Sequence, residues 1–132
     1  MAGKATHMAT VRPLRPPRVV VAVADARFVR LACFLLARRG FSVESTNGPQ
    51  ELLDLLERHH VDAVILDGTD SVTEAARLAA AVEALHPSVM VIVVAEQPEA
   101  VEVSTLKLFP KWTSFDQLAL DIERLHLGGV VS

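Results

Sequence analysis

A single cysteine, Cys33, among 132 residues excludes an internal disulfide and points to a reducing compartment, the cytoplasm. Charge of one sign is equally scarce. Thirteen Lys and Arg against 16 Asp and Glu leave a formal net charge of -3, with no concentrated basic face to neutralise nucleic-acid phosphates. No apolar run is long enough to cross a bilayer, and the N-terminus lacks the apolar core of a signal peptide. Glycine-rich phosphate loops, nucleophile elbows and zinc-ligand spacings are missing too, so nothing indicates an enzyme or a resident metal. What the chain does have is apolar content. At 51% hydrophobic and 22% charged residues, it suits one domain able to bury a real core.

Residues 1–17 carry Pro13, Pro16 and Pro17 with no hydrophobic period, and read as a flexible arm. The His7-Met8 pair matches a cloning junction, so the start of the arm is read as vector-derived. "VRPLRPPR" is either a solvated tail or a basic arm for an acidic surface. From Arg18 to Leu127 the pattern is regular. "VVVAVA" is a β-branched run of the kind buried on both sheet faces. After Asp25 a helix follows, with Phe28, Leu31, Ala32, Leu35 and Leu36 expected on its core face and Gly40 at its stop. "FSVEST" reads as a shorter strand, Asn47-Gly48 as a turn, and Pro49 as the opening of a helix that ends at His59-His60. "DAVILDG" is a buried strand, and Ser71 with Glu74 forms a capping box for a helix that stops before Pro87. "VMVIVVA" is the most apolar strand. "LKLF" is a short one, and a last helix is expected between Ser114 and Gly128, leaving 128–132 as a tail. Strands alternating with helices predict an α/β fold with a parallel sheet and right-handed crossovers.

In such sheets the working surface lies beyond the carboxyl ends of the strands. The residues expected there are Asp25, Asp67, Asp70, Glu96 and Lys111, an acidic rim with one lysine. Carboxylates converging on one point can hold a hard divalent cation, and an ammonium among them can pair with them instead.

Arg18 to Leu127 resembles the receiver domain of two-component response regulators. "VDAVILDG" looks like that family's third strand with its phosphoacceptor, and "KWTSFDQL" looks like the lysine step before its last helix. The resemblance implies a flavodoxin-like, CheY-like three-layer sandwich with sheet order 2-1-3-4-5. It matches Asp67 to the aspartate phosphorylated by a histidine kinase and Lys111 to the family's lysine. The departures are as specific. Val23 and Ala24 stand where the family has two magnesium-binding acids, Ala95 where it has a switch hydroxyl, and Trp112 where it has a proline. Asp25 falls one residue late, and as the first residue before a helix it reads as a cap or as a remnant ligand. The stretch from Ala95 to Lys111 is about six residues short, which implies a truncated or missing fourth helix.

The implied function is therefore a degenerate receiver, a pseudo-receiver. It would act in signal transduction as a protein-binding module through the fourth-helix, fifth-strand and last-helix face, on another signalling protein or a second copy. Its aspartate chemistry would be lost or weakened, with no cofactor. The alternative is a working phosphoryl acceptor, using magnesium and phosphorylated on Asp67 by a histidine kinase. Four features remain outside that reading. Cys33, among apolar neighbours, reads as a core filler. Adjacent His59 and His60 are poor joint ligands on a helix. The Ala-rich third helix suits close packing on a sheet. Trp112 either fills the space of the missing helix or offers a ring to a partner.

Overall fold

The structure, a computed structural model, describes residues 16–96, 107–112 and 115–131. Strands β1 (Arg18–Ala22), β2 (Ser42–Ser45), β3 (Ala63–Asp67), β4 (Met90–Ala95) and β5 (Lys107–Pro110) alternate with helices α1 (Ala26–Arg38), α2 (Gly48–Arg58), α3 (Val72–Leu85) and α4 (Phe115–Val131). All pairings are parallel, as the alternation predicts, and the order is β2-β1-β3-β4-β5, the flavodoxin-like arrangement that the receiver resemblance implies. The shortened or absent helix expected between β4 and β5 falls on residues 97–106, outside the described residues, as do residues 1–15 of the expected arm. The arm's last residue is tied down, because the Pro17 carbonyl accepts the Ser42 N–H at 2.9 Å.

β1, β3 and β4 are central strands, and their β-branched runs are buried on both faces. On one face Val19, Val21, Ile65, Ile92 and Val94 meet Phe28, Ala32 and Leu36 of α1 and Leu118, Ala119 and Ile122 of α4. On the other, Val20, Val64, Leu66, Val91 and Val93 meet α2 and α3. The alanines of α3 serve that packing, since Ala75 and Ala79 lie against the sheet. Pro110 sits in an edge strand, where a missing N–H is tolerated.

Caps fix the helix starts. Ser71 Oγ accepts the Glu74 N–H at 3.1 Å, and Pro49 stands in the first turn of α2. Gly40, at φ 93°, supplies the left-handed turn after α1.

Three local expectations are corrected. Leu31 is not on the core face of α1 but is 37% exposed. It lies one residue, about 100° of helix turn, from Ala32 at the middle of the buried stripe. α2 stops at Arg58, so His59 is its extended C-cap and His60 lies beyond it, facing Asp62 at 3.0 Å. α4 continues through Gly128 and Gly129 to Val131, because glycine in helical geometry costs only about 1 kcal/mol and stops a helix only where it takes a left-handed turn.

Phe28 joins the core to the strand ends. Fully buried, it stacks on Phe115 at 5.4 Å and meets Trp112 edge-on at 5.7 Å. Phe28→Ala is expected to lower the unfolding free energy by about 3–5 kcal/mol in urea titrations, the usual cost of emptying an aromatic core site.

Candidate functional site

The switch point of the sheet lies between β1 and β3, and the two aspartates flank it. Asp67 is the last residue of β3, and Asp25 follows β1 as the N-cap of α1. Lys111 begins at the far end of the edge strand β5, two strands from β3, a separation of about 10 Å. Its backbone N–H donates to the Ala95 carbonyl at 2.9 Å, which turns the chain inward over β4. The extended side chain then reaches the centre. Nζ donates to Asp67 Oδ2 at 2.9 Å and to Asp25 Oδ2 at 3.1 Å.

Each carboxylate is also held by backbone N–H groups. Asp67 Oδ1 accepts the Thr69 N–H at 2.9 Å. Asp25 Oδ1 accepts the N–H groups of Arg27 at 3.0 Å and Phe28 at 3.3 Å. Asp25 is thus a helix cap through one oxygen, and its other oxygen binds the ammonium. The Lys111 ammonium is also flanked by the rings of Trp112, 5.4 Å away, and Phe28, 5.8 Å away, both within cation–π range. Lys111 is only 3% exposed, and its charge is accounted for by two carboxylates and two rings.

The other expected site residues lie apart from this pair. Val23 is buried in the core facing α1 and α4, and Ala24 is exposed with no oxygen to offer. Ala95 is buried at the end of β4, and its methyl group cannot donate a hydrogen bond. Asp70 is exposed in the loop after β3. Glu96 is exposed and accepts the Trp112 indole N–H at 3.4 Å, so it steadies the tryptophan rather than joining the aspartates. Cys33, half-buried within α1, has its thiol pushed up by burial, which suits a filler. Sequence reasoning missed Phe28. Its apolar period marks it as core, and only the fold reveals that the same ring lies over the ammonium.

A hard cation requires several oxygens free to turn towards it. Here both aspartates are engaged by the ammonium and by backbone N–H groups, and the side chains at the two positions before Asp25 carry no oxygen. Among the described residues no group of three or more His, Cys, Asp or Glu side chains converges.

The hydrogen bond from Lys111, followed by that from the Phe28 N–H, holds the Asp25 carboxyl below its ordinary value against the opposing effect of burial. Burial alone would push the Lys111 ammonium down, but its hydrogen bonds to Asp67 and Asp25 outweigh this and raise it. The Asp25 contribution is full above about pH 4 and is lost as pH falls through its lowered value. That of Lys111 is full below about pH 10 and is lost as pH rises through its raised value. Both are present near neutrality.

Comparison with solved structures finds the same fold in response-regulator receiver domains. A sensor protein from Polaromonas sp. JS666 superposes with a TM-score of 0.70 at 18% identity, covering 87% of this chain and 98% of that one. The response regulator TrrA of Thermotoga maritima, solved in complex with Mg2+ and BeF, gives 0.66 at 16% identity, covering 83% and 98%. A CheY-like receiver domain protein from Methanospirillum hungatei JF-1 gives 0.66 at 16% identity, covering 87% and 96%. No family model matches the sequence, and neither does any curated protein. At these identities the likeness establishes the receiver fold.

Lys111→Met is expected to remove about 3 kcal/mol of unfolding free energy at pH 7, because it leaves two carboxylates facing each other across the strand ends. The deficit should narrow below about pH 4, where the wild-type protein is itself losing the Asp25 interaction. Urea titrations of both proteins across that range measure it.

Proposed function

We propose that this is an atypical response-regulator receiver domain of signal transduction, a protein-protein interaction module whose aspartate phosphorylation is lost or weakened. One observation carries the reading: the Lys111 ammonium lies between Asp25 and Asp67, within 3.1 Å of both. A receiver that takes up a phosphoryl group must assemble several negative oxygens at this point, and a divalent cation is the usual way to neutralise them. In this chain an internal monovalent charge holds the aspartates, and among the described residues no third acid converges on them. Ala95 removes the hydroxyl through which occupancy of the site would be relayed to the sheet edge. The arrangement supports a domain that keeps one conformation and is read by its partners as a surface. No bond-making role is assigned to it, and no cofactor.

The partner-facing region on this reading is the β5 and α4 side. There Trp112, 38% exposed, presents its ring beside Glu96 at the strand ends. An exposed tryptophan next to an acid suits a buried anchor in a protein interface. The partners proposed are signalling proteins; among the described residues no helix is long and apolar enough to cross a membrane.

A second reading has one specific observation behind it. Asp67 keeps 19% of its side chain exposed at the end of β3, the edge from which a phosphodonor would approach, and TrrA is a structural neighbour solved with Mg2+ and BeF. On that reading Asp67 accepts a phosphoryl group from a histidine kinase in the presence of magnesium. Intact mass after incubation with acetyl phosphate and Mg2+ separates the two. The proposed function predicts unmodified protein, and addition of one phosphate, abolished by Asp67→Asn, would establish the second reading in its place.

A further inference from the structure

The sheet face covered by α1 and α4 has an unusual outer surface. Three of the five large hydrophobic side chains exposed on the described residues lie there: Leu31, Phe34 and Leu120, with Phe34 58% exposed. On α1, Arg27, Arg30, Phe34 and Arg38 follow one another at three- and four-residue spacing, with Leu31 beside Arg30, and form a stripe pointing away from the sheet. α1 contains no acid, and among the described residues Arg27, Arg30 and Arg38 have no carboxylate partner; the Arg38 guanidinium rests on the Phe34 ring at 5.6 Å. α4 has the opposite charge. Asp116 and Glu123 lie along its edge towards α1, both within reach of Arg39, and Leu120 stands outward beside them. Between the helices is a hollow of about 230 Å³, floored by Leu35, Leu36 and Phe115 and rimmed by Arg38, Arg39 and Asp116.

A knob, a hole, a basic helix and an acidic helix on one face are self-complementary. We infer that this face is the interface of a symmetric homodimer, with α1 of each copy lying on α4 of the other and Phe34 of each filling the other's hollow. An apolar cavity of about 150 Å³ holds a benzene ring, so the hollow has room for a phenyl group. The charges also choose the symmetry axis. Both helices return from the carboxyl ends of parallel strands and so run in the same direction. A two-fold axis parallel to them sets α1 on α4, whereas one across them would set arginines on arginines. The inference is independent of whether Asp67 is phosphorylated, and it leaves the β5 edge with Trp112 free for a second protein.

Sedimentation velocity over a wide concentration series tests it on the full chain. The wild-type protein should pass from monomer to dimer, and Phe34→Ser should weaken the dimer at least tenfold. Phe34 is exposed in the monomer, so far-UV circular dichroism should show an unchanged fold. The charge pattern has its own signature. Arg30→Glu and Asp116→Lys should each be monomeric alone, while an equimolar mixture should dimerise, because in the mixed pair both helix contacts are again opposite in sign. A wild-type chain that stays monomeric throughout would overturn the proposal and leave the face to a different protein. A dimer indifferent to Phe34→Ser, or a mixture no more associated than its components, would overturn it as well.

Discussion

The ammonium of Lys111 is the constraint on which the strand-end region depends. It is nearly inaccessible to water, it begins on the edge strand, and it reaches across β4 to two aspartates that terminate separate parts of the fold. A buried charge of this kind is tolerated only when paired and hydrogen-bonded, and removal of any partner strands the others. One contact therefore links the start of α1, the end of β3 and the turn after β5. Phe28 extends the link inwards, because its ring flanks the ammonium and stacks within the core. The site and the hydrophobic core are one packed unit.

On the proposed reading, that unit accounts for how a receiver fold can persist with a changed charge pattern at its strand ends. The carboxyl ends of parallel strands gather polar groups whatever the function, since there the chain leaves the core for water. In this molecule the gathered groups satisfy one another. Asp25 divides its two oxygens between capping a helix and binding a lysine, and Glu96 is occupied with the Trp112 indole. On the proposed reading, the ammonium offsets part of the charge of the two aspartates and so weakens their pull on an external cation. With Ala95 at the end of β4 the arrangement also has no hydroxyl to move if one arrived. Evolution of function in such a domain would act on its surfaces, and the two outward helices α1 and α4 differ sharply in charge.

Much of the architecture was legible in the chain. Unbroken β-branched runs such as "VVVAVA" and "VMVIVVA" have few folded solutions other than central parallel strands, and helices at 3.6 spacing between them fix the layers. The contact between Asp67 and Lys111 could be anticipated from strand-end placement plus family resemblance. The double role of Asp25 could not, because spacing cannot say which oxygen faces where. Leu31 was misplaced for a related reason. Periodicity defines an apolar arc, but its true edge depends on how far the sheet extends beneath the helix, and α1 buries the narrower stripe of Phe28, Ala32 and Leu36. Gly128 and Gly129 misled through their propensity, a weak signal at a helix end. The self-complementary charges of α1 and α4 become meaningful only once the two helices, far apart in sequence, share a face.

Trp112 is the only tryptophan and lies 5.4 Å from the Lys111 ammonium, so its emission reports directly on the centre. Titration with Mg2+ in the presence and absence of beryllofluoride, alongside the Asp67→Asn protein, tests whether an internal cation has replaced an external one. The account predicts no saturable change in emission with either addition. A saturable, beryllofluoride-dependent change that Asp67→Asn abolishes would contradict it and show that the strand ends still form a metal-dependent switch.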